Sequence, residues 1–145
     1  MSENGSDRVQ PRPLHWANSN DPIGQALQRL VRKLVDIRSG SPALRGPLFY
    51  PERYEPFFND QGYGLDTDKD VVIYHRWAEK PGGGLQRFIV VLNCSAYDQW
   101  VDIPFSADGV WHDALNDRSD QVTGFWLRNQ QISSNWGRVY SLDTP

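Results

Sequence analysis

The chain has 145 residues, of which 39% are apolar, with six each of Trp, Tyr and Phe; that is enough to fill the core of one domain. Its net charge of −3 arises from 18 acidic and 15 basic residues spread along the sequence, and no Lys/Arg run is long enough to track a phosphate backbone, which argues against nucleic-acid binding. The single cysteine, Cys94, rules out an internal disulfide and a cysteine-based zinc site, and ten Pro with twelve Gly indicate the many turns of an all-β body.

Residues 1–20 are polar, with two prolines flanking Arg12, and read as irregular. No secretory apolar segment follows Met1, and no apolar run reaches membrane-spanning length, so the expectation is a cytoplasmic chain with no membrane contact. A sharp helix signal comes next. Asp21 is a good N-cap and Pro22 suits the first helical position. Ile23, Ala26, Leu27, Leu30, Val31, Leu34, Val35 and Ile37 then recur at three- and four-residue spacing, with Arg29, Arg32 and Lys33 opposite. Ser39-Gly40 and Pro42 end the helix, and residues 41–46 suit one further short turn.

Residues 47–64 are aromatic and Pro-rich and predict an ordered loop with Phe49, Tyr50, Tyr54, Phe57 and Phe58 packed beneath it. Short β runs begin near residue 70. Residues 71–79 and 85–95 flank Pro81-Gly82-Gly83-Gly84, a hairpin signal. The second run is apolar on both faces from Phe88 to Leu92, as a strand covered on both sides would be. Residues 99–105 alternate, with Val101, Ile103 and Phe105 on one face and Trp100 on the other. Runs at 109–115, 124–129, 131–135 and 136–142 continue at short spacing. The expected fold is therefore mainly β: an antiparallel Greek-key β-sandwich preceded by one long amphipathic α-helix.

Patterns for chemistry are sparse. Asp66-Thr67-Asp68-Lys69-Asp70 imitates the start of a calcium loop, but the positions that need Gly and Glu hold Val71 and Trp77, so it reads as a charged turn. His15, His75 and His112 have no metal-ligand spacing, and no nucleophile elbow or phosphate-binding glycine loop occurs. The 14 Asp and 4 Glu lie mostly in turns or at strand edges with polar neighbours, and nothing in the sequence suggests a desolvated acid among them. Neither a cofactor nor a metal is expected. Five tryptophans (Trp77, Trp100, Trp111, Trp126 and Trp136) fall in the β region, where exposed indoles stack well on sugar rings. Trp100, opposite its strand's apolar face, is the candidate for that role.

The order of these pieces resembles the C-terminal portion of the alpha-amylase superfamily of glycoside hydrolases, family 13. The helix, with Ile37-Arg38 and Pro42-Ala43-Leu44-Arg45 at its end, is similar to the last barrel helix of that family. Val90-Val91-Leu92-Asn93-Cys94-Ser95, Val101-Asp102-Ile103-Pro104, and Gly109, Trp111, Asp113 and Leu115 follow the pattern of its all-β C-terminal domain. Met1-Ser2, Asp7, Arg12, Pro13 and Trp16 are similar to the loop after the eighth barrel strand in alpha-glucosidase-like members.

The resemblance implies residues 1–46 as the end of a (β/α)8 barrel and 47–145 as the C-terminal β-sandwich domain, with Arg12 and Trp16 bordering the substrate cleft. The family's catalytic carboxylates lie on earlier barrel strands, and their "NHD" signature does not occur here. The chain by itself is thus expected to be non-catalytic, with the missing barrel as its partner. Two alternatives belong to other classes: a stand-alone module binding α-glucan, or a structural protein that forms homo-oligomers through the 23–37 helix. The apolar stripe of that helix is too large to leave wet in a small domain, so it is expected to fold back on the sandwich or to pair with a second copy.

Overall fold

In the computed structural model the described residues are 15–145. A 3-10 turn (Trp16–Ser19) precedes helix α1 (Pro22–Ser39) and the short helix α2 (Pro42–Arg45). Strands β1 (Phe49–Tyr50), β2 (Gly64–Asp66), β3 (Val71–Glu79), β4 (Leu85–Asn93), β5 (Gln99–Pro104), β6 (Gly109–Asp113), β7 (Arg118–Val122), β8 (Trp126–Ile132) and β9 (Trp136–Thr144) follow. The chain divides into two compact units, residues 1–33 and 34–145.

Helix α1 starts where the sequence places it. The Asp21 carboxylate accepts the Gly24 backbone N–H at 2.7 Å, occupying one of the donors that a helix N-terminus leaves open. No residue of α1 is buried. Ile23, at 83% exposure, and Leu27, Val31, Leu34 and Val35 are all open to solvent.

The β unit is an antiparallel Greek-key sandwich. Its large sheet has seven strands in the order β1-β3-β4-β9-β6-β7, with β2 also paired to β3; β5 and β8 make the second sheet. The β3–β4 hairpin turns through Pro81–Gly84, where the Lys80 N–H donates to the Gly84 carbonyl. The last strand, β9, returns between β4 and β6, giving the Greek-key connection.

Register explains why β4 is apolar on both faces from Phe88 to Leu92. Ile73 pairs with Val91 and Val91 with Arg138, while Ile89 pairs with Tyr140, so alternate residues share one face of the sheet. On that face Val71, Ile73, Ile89, Val91, Trp111, Val122 and Tyr140 meet Val101, Ile103, Phe105 and Ile132 to form the main core. Phe105 packs edge-on against Trp111 and Tyr140, with ring centroids 4.9 and 5.2 Å apart. On the other face Phe88, Val90 and Val139 pack with Ala43, joined by Ile37, Leu44 and Tyr74. Arg76 on β3 donates to the carbonyls of Ala43 and Gly46, tying α2 to this outer face.

Two of the polar side chains buried in the sandwich, Asn93 and Asp113, are well bonded, which offsets the cost of taking them out of water. The Asn93 amide donates to the carbonyls of Tyr97, Ile132 and Ser133 and accepts from Ser95, joining the end of β4 to the β8 side. The Asp113 carboxylate accepts the N–H groups of Leu115, Asn116 and Val139, closing the β6–β7 turn onto β9.

The structure departs from the sequence reading in three places. The 47–64 segment contributes the short strand β1 and, at Gly64, the start of β2. Of the five aromatics expected beneath it, Tyr50 and Phe58 pack against the core, joined there by Tyr63, whereas Phe49, Tyr54 and Phe57 are exposed. Strand β7 was not expected, because only Asp120 and Val122 turn inward and the rest of its side chains are wet. Residues 131–132 belong to β8 rather than to a separate strand. The 66–70 turn does form as read, with the Asp66 carboxylate accepting the N–H groups of Asp68 and Lys69.

Candidate functional site

A cleft lies between the β5–β8 sheet and the 57–69 loop. Alternation along β5 buries Val101 and Ile103 and turns Trp100 and Asp102 outward, so Trp100 is 50% exposed. Phe58, Asn59, Asp60, Lys69, Trp100, Asp102, Trp126, Arg128 and Asn129 line a groove of about 390 Å3.

Lys69, Asp102 and Arg128 in this groove each have a partner. The Arg128 guanidinium lies 4.1 Å from the Trp126 ring centroid and donates to Asp102 at 2.8 Å. The Lys69 ammonium donates to the Trp100 carbonyl at 3.0 Å. The Asn129 N–H and the Arg128 side chain, in that order of effect, hold the Asp102 carboxyl below the usual carboxylate range. It is therefore a fixed anion and not a proton donor, the opposite of what general-acid cleavage of a glycoside requires.

Trp126 also lines a second groove of about 490 Å3, with Tyr50, Asp60, Tyr63, His75, Trp77, Ser106 and Phe125. Gly62, at φ +84°, brings the loop so close that a Cβ there would sit 2.6 Å from the Trp126 ring. In the second groove the His75 ring packs on Trp77, with centroids 4.8 Å apart, and more loosely on Tyr63 at 6.4 Å. Its Nε2 is 3.2 Å from the Ser106 hydroxyl. Burial, assisted by the Arg87 charge, lowers the His75 pKa to about 4, so the imidazole is neutral at physiological pH. Burial likewise raises the pKa of the Tyr63 phenol, with Tyr50 adding to the effect. A neutral His beside a hydroxyl can exchange donor and acceptor roles with a hydroxylated ligand.

Of the residues singled out from sequence, Trp100 lines this cleft. Arg12 lies outside the described residues. The Trp16 backbone opens the 3-10 turn, and its side chain likewise falls outside them. Sequence reasoning gave His75 no role beyond the lack of metal-ligand spacing, named Trp126 only as one of five tryptophans in the β region, and did not single out Arg128, Asp60 or Ser106. These residues come from separate segments, and only the loop Gly62 and the strand alternation of β8 hint at their meeting. The other tryptophans divide by role: Trp111 is fully buried in the core, and Trp136 donates its indole N–H to Asn116. Among the described residues no group of three or more His, Cys, Asp or Glu could hold a metal ion, and no helix is long and apolar enough to cross a membrane.

The fold defines an antiparallel all-β sandwich module with a cleft on its β5–β8 side. A family model described as the alpha amylase C-terminal all-beta domain matches residues 64–144, more than half of the chain. The chain belongs to that family, and its β-sandwich is the C-terminal domain of an alpha-amylase family protein. A search of curated proteins gives no match.

Proposed function

We propose that this chain is the C-terminal part of an enzyme that hydrolyses or transfers α-linked glucose units. In this reading residues 1–46 complete a (β/α)8 barrel and residues 47–145 form the accessory domain that braces it. The 1–16 segment then borders the substrate cleft, with Arg12 and Trp16 as its contact residues. The observation that carries the reading is α1: an amphipathic helix of 18 residues, none buried, directly ahead of a domain of this family. Its apolar stripe fits a covering partner, and the parent barrel is the partner this arrangement calls for.

The test is the native protein. An antibody raised against this chain should detect a polypeptide much larger than 16.6 kDa, and the immunoprecipitate should act on α-linked glucosides. A native band of 16.6 kDa without such activity would overturn the reading. If that small form proved dimeric, and Leu27→Glu made it monomeric, a second copy would be the cover for residues 23–37. A second function, binding of α-glucan by the β domain, is favoured by the half-exposed Trp100 indole at the mouth of a groove rich in hydrogen-bonding groups.

A further inference from the structure

The groove that contains His75 differs in chemistry from the one beside Trp100. Tyr63, His75 and Trp77 make a row of rings in its lining, with centroids 6.4 and 4.8 Å apart, and Phe125 and Trp126 add two more aromatic surfaces. The charged residue among them is Asp60, which is exposed; no Lys or Arg lines the groove, and His75 is neutral near pH 7. Arg87 lies opposite Trp77 in the β3–β4 register, but it donates to the Thr144 hydroxyl at 3.0 Å and is not part of the lining. At about 490 Å3 the groove has the size of a small-molecule site.

Phe125 supplies a second, independent observation. It is held at φ +65°, in the left-handed region that a bulky side chain rarely adopts. Its N–H donates to the Asp108 carboxylate at 2.7 Å and its carbonyl accepts the Phe105 N–H at 2.9 Å, so the backbone is fixed from both sides. The ring gains little packing in return, being 54% exposed at the groove. Glycine takes this backbone without steric cost, so a strained phenylalanine here points to a role for the ring itself.

Aromatic faces carry negative potential and attract a cation, best of all one whose own surface is apolar. A primary ammonium is compact and strongly hydrated, and costs more to bring against rings. An anion meets Asp60 with no cation to offset it, and a neutral ligand leaves that carboxylate without a counter-charge. Arg128, which lines the first groove and not the second, already stacks on Trp126, so Trp77 and Phe125 are the rings left to a ligand. We propose that this groove binds a small organic cation with a quaternary ammonium head group, its methyl groups against Trp77 and Phe125 and its charge facing Asp60. The site does not depend on the family reading above.

Three probes separate charge from shape when titrated into the full chain and followed by tryptophan fluorescence and proton NMR. They are choline, the uncharged alcohol in which carbon replaces its nitrogen, and ethanolamine, which carries a primary ammonium. Choline should bind at least about fivefold more tightly than either of the others. Phe125→Gly should weaken choline at least about threefold while the melting temperature stays level or rises, because glycine relieves the left-handed backbone. Asp60→Asn, at an exposed position, should keep the fold and weaken choline about twofold to fivefold. Equal affinity for choline and its uncharged isostere would overturn recognition of the charge, and ethanolamine binding as tightly as choline would overturn the quaternary head group. A lower melting temperature for Phe125→Gly with choline affinity unchanged would assign the ring to packing and overturn its role. No change in fluorescence or chemical shift with choline up to about 50 mM would overturn the site as a whole.

Discussion

Helix α1 and strand β4 carry the two clearest apolar patterns in the chain, and they meet opposite fates. β4 is apolar on both faces, and both are used: Ile89 and Val91 enter the inner core while Phe88 and Val90 enter the cluster with Ala43. α1 is apolar on one face, yet none of its residues is buried; Ile37, near its end, reaches only partial burial beside Ala43 and Phe88. A hydrophobic pattern thus fixes which face an element wants covered, but not whether the cover lies in the same chain.

The largest expected effect separates these two elements. Ile89→Ala should cost about 2–5 kcal/mol in urea denaturation, because it opens a cavity in the fully buried main core. Leu27→Ala should cost less than about 0.5 kcal/mol, since the side chain is already wet and alanine is a strong helix former. Comparable losses at both sites would mean that the helix face is covered within the chain.

The same contrast extends to polar groups. Asp113→Ala should destabilise by about 2–4 kcal/mol, because it strands three backbone N–H groups in the sandwich. Asp102→Ala, on the exposed pair with Arg128, should change the unfolding midpoint little.

A smaller effect follows from His75. Its imidazole stays neutral down to about pH 4, whereas in the unfolded chain it protonates near its ordinary 6.5. Between these values the unfolded state binds more protons, so stability should fall as the pH drops from 6.5 towards 4. The contribution is on the order of 1–2 kcal/mol after allowing for the partial exposure of the ring. The charged groups on that side are Arg87, which favours the neutral form, and Asp60 on the shared groove. His75→Gln should flatten this part of the stability profile, and an unchanged slope would assign it to the carboxylates. Smallest of all, Trp100→Ala should leave stability within about 0.5 kcal/mol of wild type, in contrast to Trp111, whose indole is wholly enclosed.

Much of the fold was legible in the sequence. The Asp21-Pro22 start of α1, the glycine-rich β3–β4 turn and the two-faced run of β4 each rest on local chemistry that tertiary packing did not override. Strand β7 was hidden because an edge strand needs only Asp120 and Val122 facing inward, too short a pattern to stand out from a polar loop. The aromatics of residues 47–64 misled because a Pro-rich loop has no period from which inward and outward positions can be told apart. At the candidate site, Trp100 was readable from the alternation along β5 alone. The pairing of His75 with Ser106, and of Trp126 with Gly62 and Arg128, joins segments remote in sequence and needed the three-dimensional register.

Amide hydrogen exchange of the dilute, monomeric chain tests most directly the claim that the α1 face is shaped for a partner outside these residues. The account predicts that amides of Ile23–Val35 exchange close to the rate of an isolated helix, while those of Phe88–Val91 approach the protection of global unfolding. Protection of α1 equal to that of β4 in the monomer would contradict it.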